Sequence, residues 1–229
     1  MKNLLRGGCS LSKYCLSMVP IFSHLNEDQM EKIMPRIKEA EFKKGEIIYS
    51  AGDESDTLYV VRRGRVKLYR LSATGKEQLI AFLNPGEFTG ELALFRGGSY
   101  GRFAEATMDT ECCTIRRRDL QEFLLEYPTI ALKLLNEFSN RIETSEKQQT
   151  RYATEKVDTR IAMFIVESLE SEDSTIVELP MSKKDIASYL GTTPETISRK
   201  LNEFEEAGLI KRLSNKKIKV LDVDELLFV

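Results

Sequence analysis

The sequence predicts an α+β fold with three parts: an N-terminal antiparallel β-roll of the jelly-roll kind, a long helix, and a C-terminal winged helix-turn-helix. Short apolar runs closed by glycines predict the roll, an apolar stripe with helical spacing predicts the long helix, and two capped helical patterns joined by a glycine predict the last part. The predicted boundaries are 1–20 for a cysteine-bearing segment, 21–118 for the roll, 119–153 for the long helix and hinge, and 154–229 for the winged helix-turn-helix.

The composition is typical of a soluble globular protein. Of its 229 residues, 41% are hydrophobic and 31% are charged, and the net charge is −2. No apolar run approaches the roughly 20 residues that a membrane helix needs, and the first residues lack the apolar core of a secretion signal. We therefore expect a cytoplasmic protein that does not bind membranes, and we expect its four cysteines to stay mostly reduced.

Histidine content argues against catalysis. The chain has one histidine, His24, and it lies in a loop-like stretch. A metal-dependent jelly-roll oxygenase would usually need two histidines and a carboxylate, and a serine hydrolase would have to use His24 as its base. We therefore expect that the protein is not an enzyme.

The predicted roll is a series of short strands separated by regular turns. The runs EIIYSAG, TLYVVRRG, RVKLYRLSATG and QLIAFLNPG are rich in Ile, Val, Leu and Tyr, and each ends in glycine. Glycines at 52, 64, 75, 86 and 97 recur about every eleven residues. Because glycine adopts a positive φ without steric cost, this spacing is typical of turns between antiparallel strands.

Helical spacing begins at Asp119, and Pro128 is expected to break this helix or to begin the next one. Beyond it, one apolar stripe is formed by Ala131, Leu134, Leu135, Phe138 and Ile142. A helix this long has little of its own domain left to pack against, so we expect the stripe to pair with a second copy of the chain. The alternative is that the stripe packs on its own domain.

The predicted helix-turn-helix lies between residues 182 and 206. Ser182 can cap a first helix, Gly191 turns the chain, and Thr193 with Pro194 can begin a second helix. In the second helix, the apolar residues Ile197, Leu201 and Phe204 share one face and must be buried. A short glycine turn between two helices is the helix-turn-helix pattern.

The polar face of the second helix carries groups suited to DNA bases. Glu195, Ser198 and Arg199 share this face, and arginine can bind guanine O6 and N7, glutamate can accept from cytosine N4, and serine can bind either kind of base edge. The alternative is that Glu195 and Arg199 form only a surface ion pair.

Basic residues surround this face. Residues 181–219 contain nine Lys/Arg and five Asp/Glu, a local net charge of +4, and LIKRLSNKKIKVL predicts two strands of a wing. Lysine suits DNA phosphates, so we expect backbone contacts from a set of five lysines: Lys183, Lys184, Lys200, Lys216 and Lys217.

Two segments, LNPGEFTGELALF and IASYLGTTPETISRKLNEFEEAGLI, resemble the CRP/FNR family of bacterial transcription regulators, and the resemblance extends over nearly the whole chain. It implies a homodimer with a sensory β-roll, a dimerisation helix and a DNA-binding winged helix-turn-helix, and RNA polymerase as a further partner. The pattern Glu195-x-x-Ser198-Arg199 is similar to that of the FNR subgroup, which implies a palindromic DNA site with TTGAT-like half-sites.

The resemblance also bears on the signal. Cys9, Cys15 and Cys113 match three of four cluster-ligating cysteines of the FNR subgroup, but the fourth would fall near Arg6, and a [4Fe–4S] cluster usually needs four thiolates. FNR-like proteins of Gram-positive bacteria imply a simpler switch, a Cys15–Cys113 disulfide. An iron–sulfur cluster or zinc on these three cysteines remains the alternative.

A cyclic nucleotide is a further alternative signal. Cyclic-nucleotide binders of the family hold the phosphate with an Arg-Ser pair, whereas this chain has Arg102 followed by Phe103. An arginine fork can still bind a phosphate, but the partnering serine is missing.

Overall fold

The computed structural model describes residues 22–91, 98–169, 171 and 174–229. The chain divides into two compact units, Met1–Asn140 and Arg141–Val229. The N-terminal cysteines Cys9 and Cys15, and the predicted turn glycine at position 97, lie outside the described residues.

The first unit contains two four-stranded antiparallel sheets with the orders β1-β8-β3-β6 and β2-β7-β4-β5. The strands are β1 (Ile37–Phe42), β2 (Ile47–Tyr49), β3 (Thr57–Arg63), β4 (Val66–Leu71), β5 (Glu77–Leu83), β6 (Phe88–Thr89), β7 (Phe103–Ala106) and β8 (Thr110–Arg116). Helix α1 (Glu27–Ile33) and a 3₁₀ turn (Met34–Arg36) precede them. The predicted antiparallel roll is confirmed.

Glycines close the turns of the roll as the spacing predicts. Four of the five predicted glycines are described, and all have positive φ angles: Gly52 (96°), Gly64 (93°), Gly75 (77°) and Gly86 (93°). The requirement is strictest at Gly64, where a Cβ atom would lie 2.5 Å from Thr110 Oγ1 and 2.6 Å from the Asp109 carbonyl oxygen.

Two hydrophobic clusters contact the strand β8 in the first unit. Cys113 belongs to one cluster together with Phe22 and Leu120, and Cys112 belongs to the other together with Tyr49. Adjacent residues of a strand point to opposite faces of the sheet, so the two thiols are separated although they are neighbours in the chain. Both side chains are buried.

The helices after the roll begin and end close to the predicted proline break. Helix α2 spans Arg117–Glu126, and helix α3 spans Pro128–Thr154. Proline lacks a backbone N–H, which the first position of a helix does not need. The chain therefore ends one helix and begins the next across Tyr127.

The apolar stripe of α3 differs from the prediction in one respect, because it divides between two faces. Leu134 is buried, and Phe138 packs on the core of the first unit. In contrast, Leu135 and Ile142 are 60% and 59% exposed. The helix thus contacts its own unit along one line of residues and leaves a second apolar line exposed, so both predicted packing modes account for part of the stripe.

The second unit contains a three-stranded sheet with the order β10-β11-β9 and a set of helices. Its elements are α4 (Val157–Glu167), β9 (Ile176–Glu178), α5 (Lys183–Tyr189), α6 (Pro194–Glu206), β10 (Ile210–Arg212), β11 (Lys217–Val220) and α7 (Val223–Leu227). Strands β10 and β11 form the predicted wing. Within the described part of the chain, no helix is long and apolar enough to cross a membrane.

Candidate nucleic-acid interface

The turn between α5 and α6 is built from the residues that the sequence indicates. The Ser182 hydroxyl accepts a hydrogen bond from the backbone of Asp185 and caps α5. Gly191 has φ 67°, and the N–H of Thr192 donates to the carbonyl of Ala187 over 2.9 Å, which closes α5 as a left-handed glycine cap. Thr193 then caps α6.

Helix α6 buries its apolar face and exposes the predicted reading face. Ile197, Leu201 and Phe204 are buried. Glu195 and Arg199 are exposed, and Ser198 is partly exposed. Because all three polar side chains lie in the first turns of α6 and away from the core, they can meet an external partner.

The charges of this face are available for binding. Hydrogen bonds from the Glu195 backbone N–H and from the Thr193 hydroxyl hold the pKa of the Glu195 carboxyl below its usual range, so it is ionised at neutral pH. The Arg199 side chain is 67% exposed, and its Nε lies 4.0 Å from Glu203 Oε1. An exposed pair of this kind contributes little stability, so Arg199 can leave Glu203 for a base at low cost.

The five predicted phosphate-binding lysines have different surroundings. Lys184, Lys216 and Lys217 are exposed, and Lys183 is partly exposed. The Lys200 side chain is only 20% exposed, and its Nζ lies 3.3 Å from Asp158 Oδ2 and 2.7 Å from Glu203 Oε2. These carboxylates raise the pKa of Lys200 and already neutralise its charge.

A second ion pair connects α6 to the wing. The Glu205 carboxylate accepts from the Arg212 backbone N–H over 2.8 Å and from Arg212 Nε over 2.6 Å. The bond to that backbone N–H is the main reason why the pKa of Glu205 is lowered. Sequence reasoning missed the roles of Glu205 and of Asp158, since neither partner lies at a helical spacing that could reveal it.

The thiols of the roll do not fit a four-thiolate cluster. Cys112 and Cys113 face different clusters of β8, so Cys112 cannot join Cys113 on one metal centre. Burial raises the pKa of the Cys112 thiol to about 12, which keeps it protonated and unreactive. Among the described residues, no three potential ligands come together at a metal site.

Arg102 is engaged inside the roll. Its Nη2 lies 2.5 Å from Glu91 Oε1, and both side chains are largely buried. Beside this pair, the rings of Tyr49 and Tyr100 are stacked with their centroids 3.8 Å apart. The arginine that could meet a cyclic phosphate is therefore paired with a carboxylate of the roll itself.

Comparisons with known proteins agree with this architecture. The cyclic nucleotide-binding domain family matches residues 39–127, and the Crp-like helix-turn-helix domain family matches residues 159–228. The chain is similar to the probable transcriptional regulator Flp of Lacticaseibacillus casei, with 32% identity over 93% of this chain and 96% of that protein. It is also similar to the anaerobic regulatory protein of Aggregatibacter actinomycetemcomitans, with 30% identity over 96% of this chain and 85% of that protein.

A solved structure with the same architecture is that of FixK2 from Bradyrhizobium japonicum. The match has a TM-score of 0.70 and 28% identity, and it covers 83% of this chain and 95% of that one. The matched proteins are transcription regulators rather than enzymes. The chain therefore belongs to the CRP/FNR family of DNA-binding transcription regulators.

Proposed function

We propose that the protein is a redox- or oxygen-responsive regulator that reads a palindromic, TTGAT-like DNA site as a homodimer. The observation that carries the proposal is the outward placement of Glu195, Ser198 and Arg199 over a buried apolar face of α6. In this proposal, residues 154–229 read DNA, residues 119–153 form the dimer, residues 21–118 sense the signal, and residues 1–20 carry reactive cysteines.

Phosphate contacts would come from lysines on both sides of α6. Lys183 and Lys184 lie at the start of α5, where the helix N-terminus also favours phosphate, and Lys216 and Lys217 lie at the wing. Lys217 has a surface partner, Glu178, at 3.6 Å, which it can exchange for phosphate. We leave Lys200 out of this set because its two carboxylate partners compete with DNA.

A homodimer is supported by the exposed apolar line of α3. Leu132, Leu135 and Ile142 are 66%, 60% and 59% exposed. A two-fold symmetric pair of these helices would bury them against their counterparts, and a two-fold dimer is what a palindromic site requires. As a transcription regulator, the dimer is also expected to contact RNA polymerase.

The palindrome can be tested with two duplexes. We expect the reduced protein to bind a TTGAT-type palindrome at least about a thousandfold more tightly than random DNA. Inserting roughly five base pairs between the half-sites rotates one of them by about half a turn, and we expect this to remove most of the preference, because a rigid dimer then reaches only one half-site. A protein that binds both spacings equally would contradict dimeric reading.

The proposed signal is the oxidation of two thiols to a Cys15–Cys113 disulfide. An oxidant such as dissolved oxygen takes two electrons, both thiols lose their protons, and one S–S bond forms. Cys113 shares its cluster with Phe22, which follows Cys15 by seven residues, and such a segment can extend over about 25 Å. The closed loop of about 100 residues would change the stability by up to about 4–5 kcal/mol, enough to bias a two-state dimer.

The disulfide predicts a specific linked peptide. After air oxidation of the full chain, mass spectrometry should detect Cys15 joined to Cys113, and DNA affinity should differ between the oxidised and reduced forms. Cys113→Ala should abolish both results. The matched control is Cys112→Ala, which alters the adjacent residue on the opposite face and should keep both. If the linked peptide is absent and stoichiometric iron or zinc is found, the disulfide proposal is wrong.

A further inference from the structure

Three side chains from outside α5 hold the C-terminal end of that helix, and we call Gln148, Tyr152 and Arg160 the carbonyl clamp. The Tyr152 hydroxyl and the Gln148 side-chain amide donate to the carbonyl of Tyr189. Arg160 Nη1 donates to the carbonyl of Leu190 over 2.8 Å. Carbonyls at the end of a helix have no partner within the helix, so the clamp supplies their hydrogen bonds.

The members of the clamp also hold one another. Gln148 Nε2 lies 2.9 Å from the Tyr152 hydroxyl, and the Arg160 guanidinium lies 5.2 Å from the centre of the Tyr152 ring. Gln148 and Tyr152 are one turn apart on α3, whereas Arg160 belongs to α4. The clamp thus ties two helices to the end of a third, and its cation lies at the end of α5 where the helix dipole is negative.

The clamp lies directly before the turn that leads to α6. A Cβ atom added to Gly191 would lie 3.6 Å from both Arg160 Nη1 and the Tyr152 ring. A cavity of about 160 Å³ adjoins the clamp and is lined in part by Thr144 and Phe164. Because this side of the turn is not filled by close packing, the polar contacts of the clamp have the larger part in fixing it.

We infer that Tyr152 and Arg160 are positioning residues for sequence reading. They fix the end of α5, and through the Gly191 turn they fix the direction of α6 relative to α3. This inference rests on the proposed function, in which α3 forms the dimer and α6 reads bases. Bonds to base edges need accurate geometry, whereas phosphate attraction acts over a longer range. Loss of the clamp should therefore weaken specific binding more than non-specific binding.

The test compares dissociation constants of the full-length, reduced protein for a TTGAT-type palindrome and for random DNA. Tyr152→Phe removes one hydroxyl, and we expect about fivefold weaker palindrome binding with random DNA unchanged. Arg160→Met removes a charged donor, and we expect a loss of about tenfold or more. Arg160→Lys keeps the charge and should recover part of this loss.

A purely structural role predicts a different result. If the variants only lower the folded fraction, both affinities fall by the same factor, and the ratio between them stays at the wild-type value. That outcome overturns the inference. Amide hydrogen exchange gives a second measurement: faster exchange confined to residues 183–193 in Tyr152→Phe supports the clamp, and unchanged exchange there contradicts it. A wild-type protein without any preference for the palindrome overturns the proposed function and this inference together.

Discussion

Arg199→Ala is expected to lose about 1–3 kcal/mol of discrimination between the TTGAT-type palindrome and random DNA, which is about ten- to a hundredfold in the ratio of dissociation constants. The guanidinium is 67% exposed and only loosely associated with Glu203. Its removal therefore leaves the fold intact, and only the bidentate bond to a guanine is lost. Titrations by fluorescence anisotropy at one fixed salt concentration would measure both constants.

Lys217→Ala is the matched control for this substitution. Lys217 is another exposed cation of the same unit, but its expected contact is a phosphate. It should weaken binding to both DNAs by a similar factor and reduce the dependence of affinity on salt by about one phosphate contact. Equal losses on palindrome and random DNA for Arg199→Ala would refute its assignment to a base.

Leu135→Glu combined with Ile142→Glu is expected to convert the dimer into monomers. Both side chains are more than half exposed in the single chain. Each fully buried leucine or isoleucine contributes about 1.5–3 kcal/mol, and two-fold symmetry makes every contact count twice. Buried carboxylates without partners add a further cost. Sedimentation velocity would show the lower mass, and the preference for a palindrome over a single half-site should be lost.

The control for the dimer variant places the same charge on the same helix. Asn136 is exposed beside Leu135 but lies about 100° around the helix from it. Asn136→Glu should leave the mass and the palindrome affinity close to those of the wild type. If Leu135→Glu with Ile142→Glu stays dimeric, the chain must associate through another surface.

The parts of the structure that the sequence predicts well are those determined by local residues. The caps Ser182 and Thr193, the turn at Gly191 and the break at Pro128 are all where the sequence indicates them. Each reflects a backbone requirement that a short stretch of chain can express by itself: a hydroxyl acceptor, a positive φ, or a missing N–H. Strand alternation likewise predicts that Cys112 and Cys113 are separated.

The parts that sequence reasoning misses depend on partners far along the chain. Lys200 has the charge of a phosphate-binding residue, yet its carboxylate Asp158 precedes it by 42 residues. The apolar stripe of α3 is continuous in sequence, but only contact with the first core cluster separates Leu134 from Leu135. Helical periodicity shows that a side chain is apolar and on one side, but not which surface covers it.

The central claim is that Arg199 on α6 reads the edge of a guanine, and a binding cycle with modified DNA tests it most directly. Replacing that guanine by 7-deazaguanine removes the N7 acceptor and leaves the phosphates unchanged. We predict that wild-type protein loses about 1 kcal/mol or more on the modified palindrome, whereas Arg199→Ala loses almost nothing. If the modification weakens both proteins equally, or neither, Arg199 does not contact that base edge and the account is wrong.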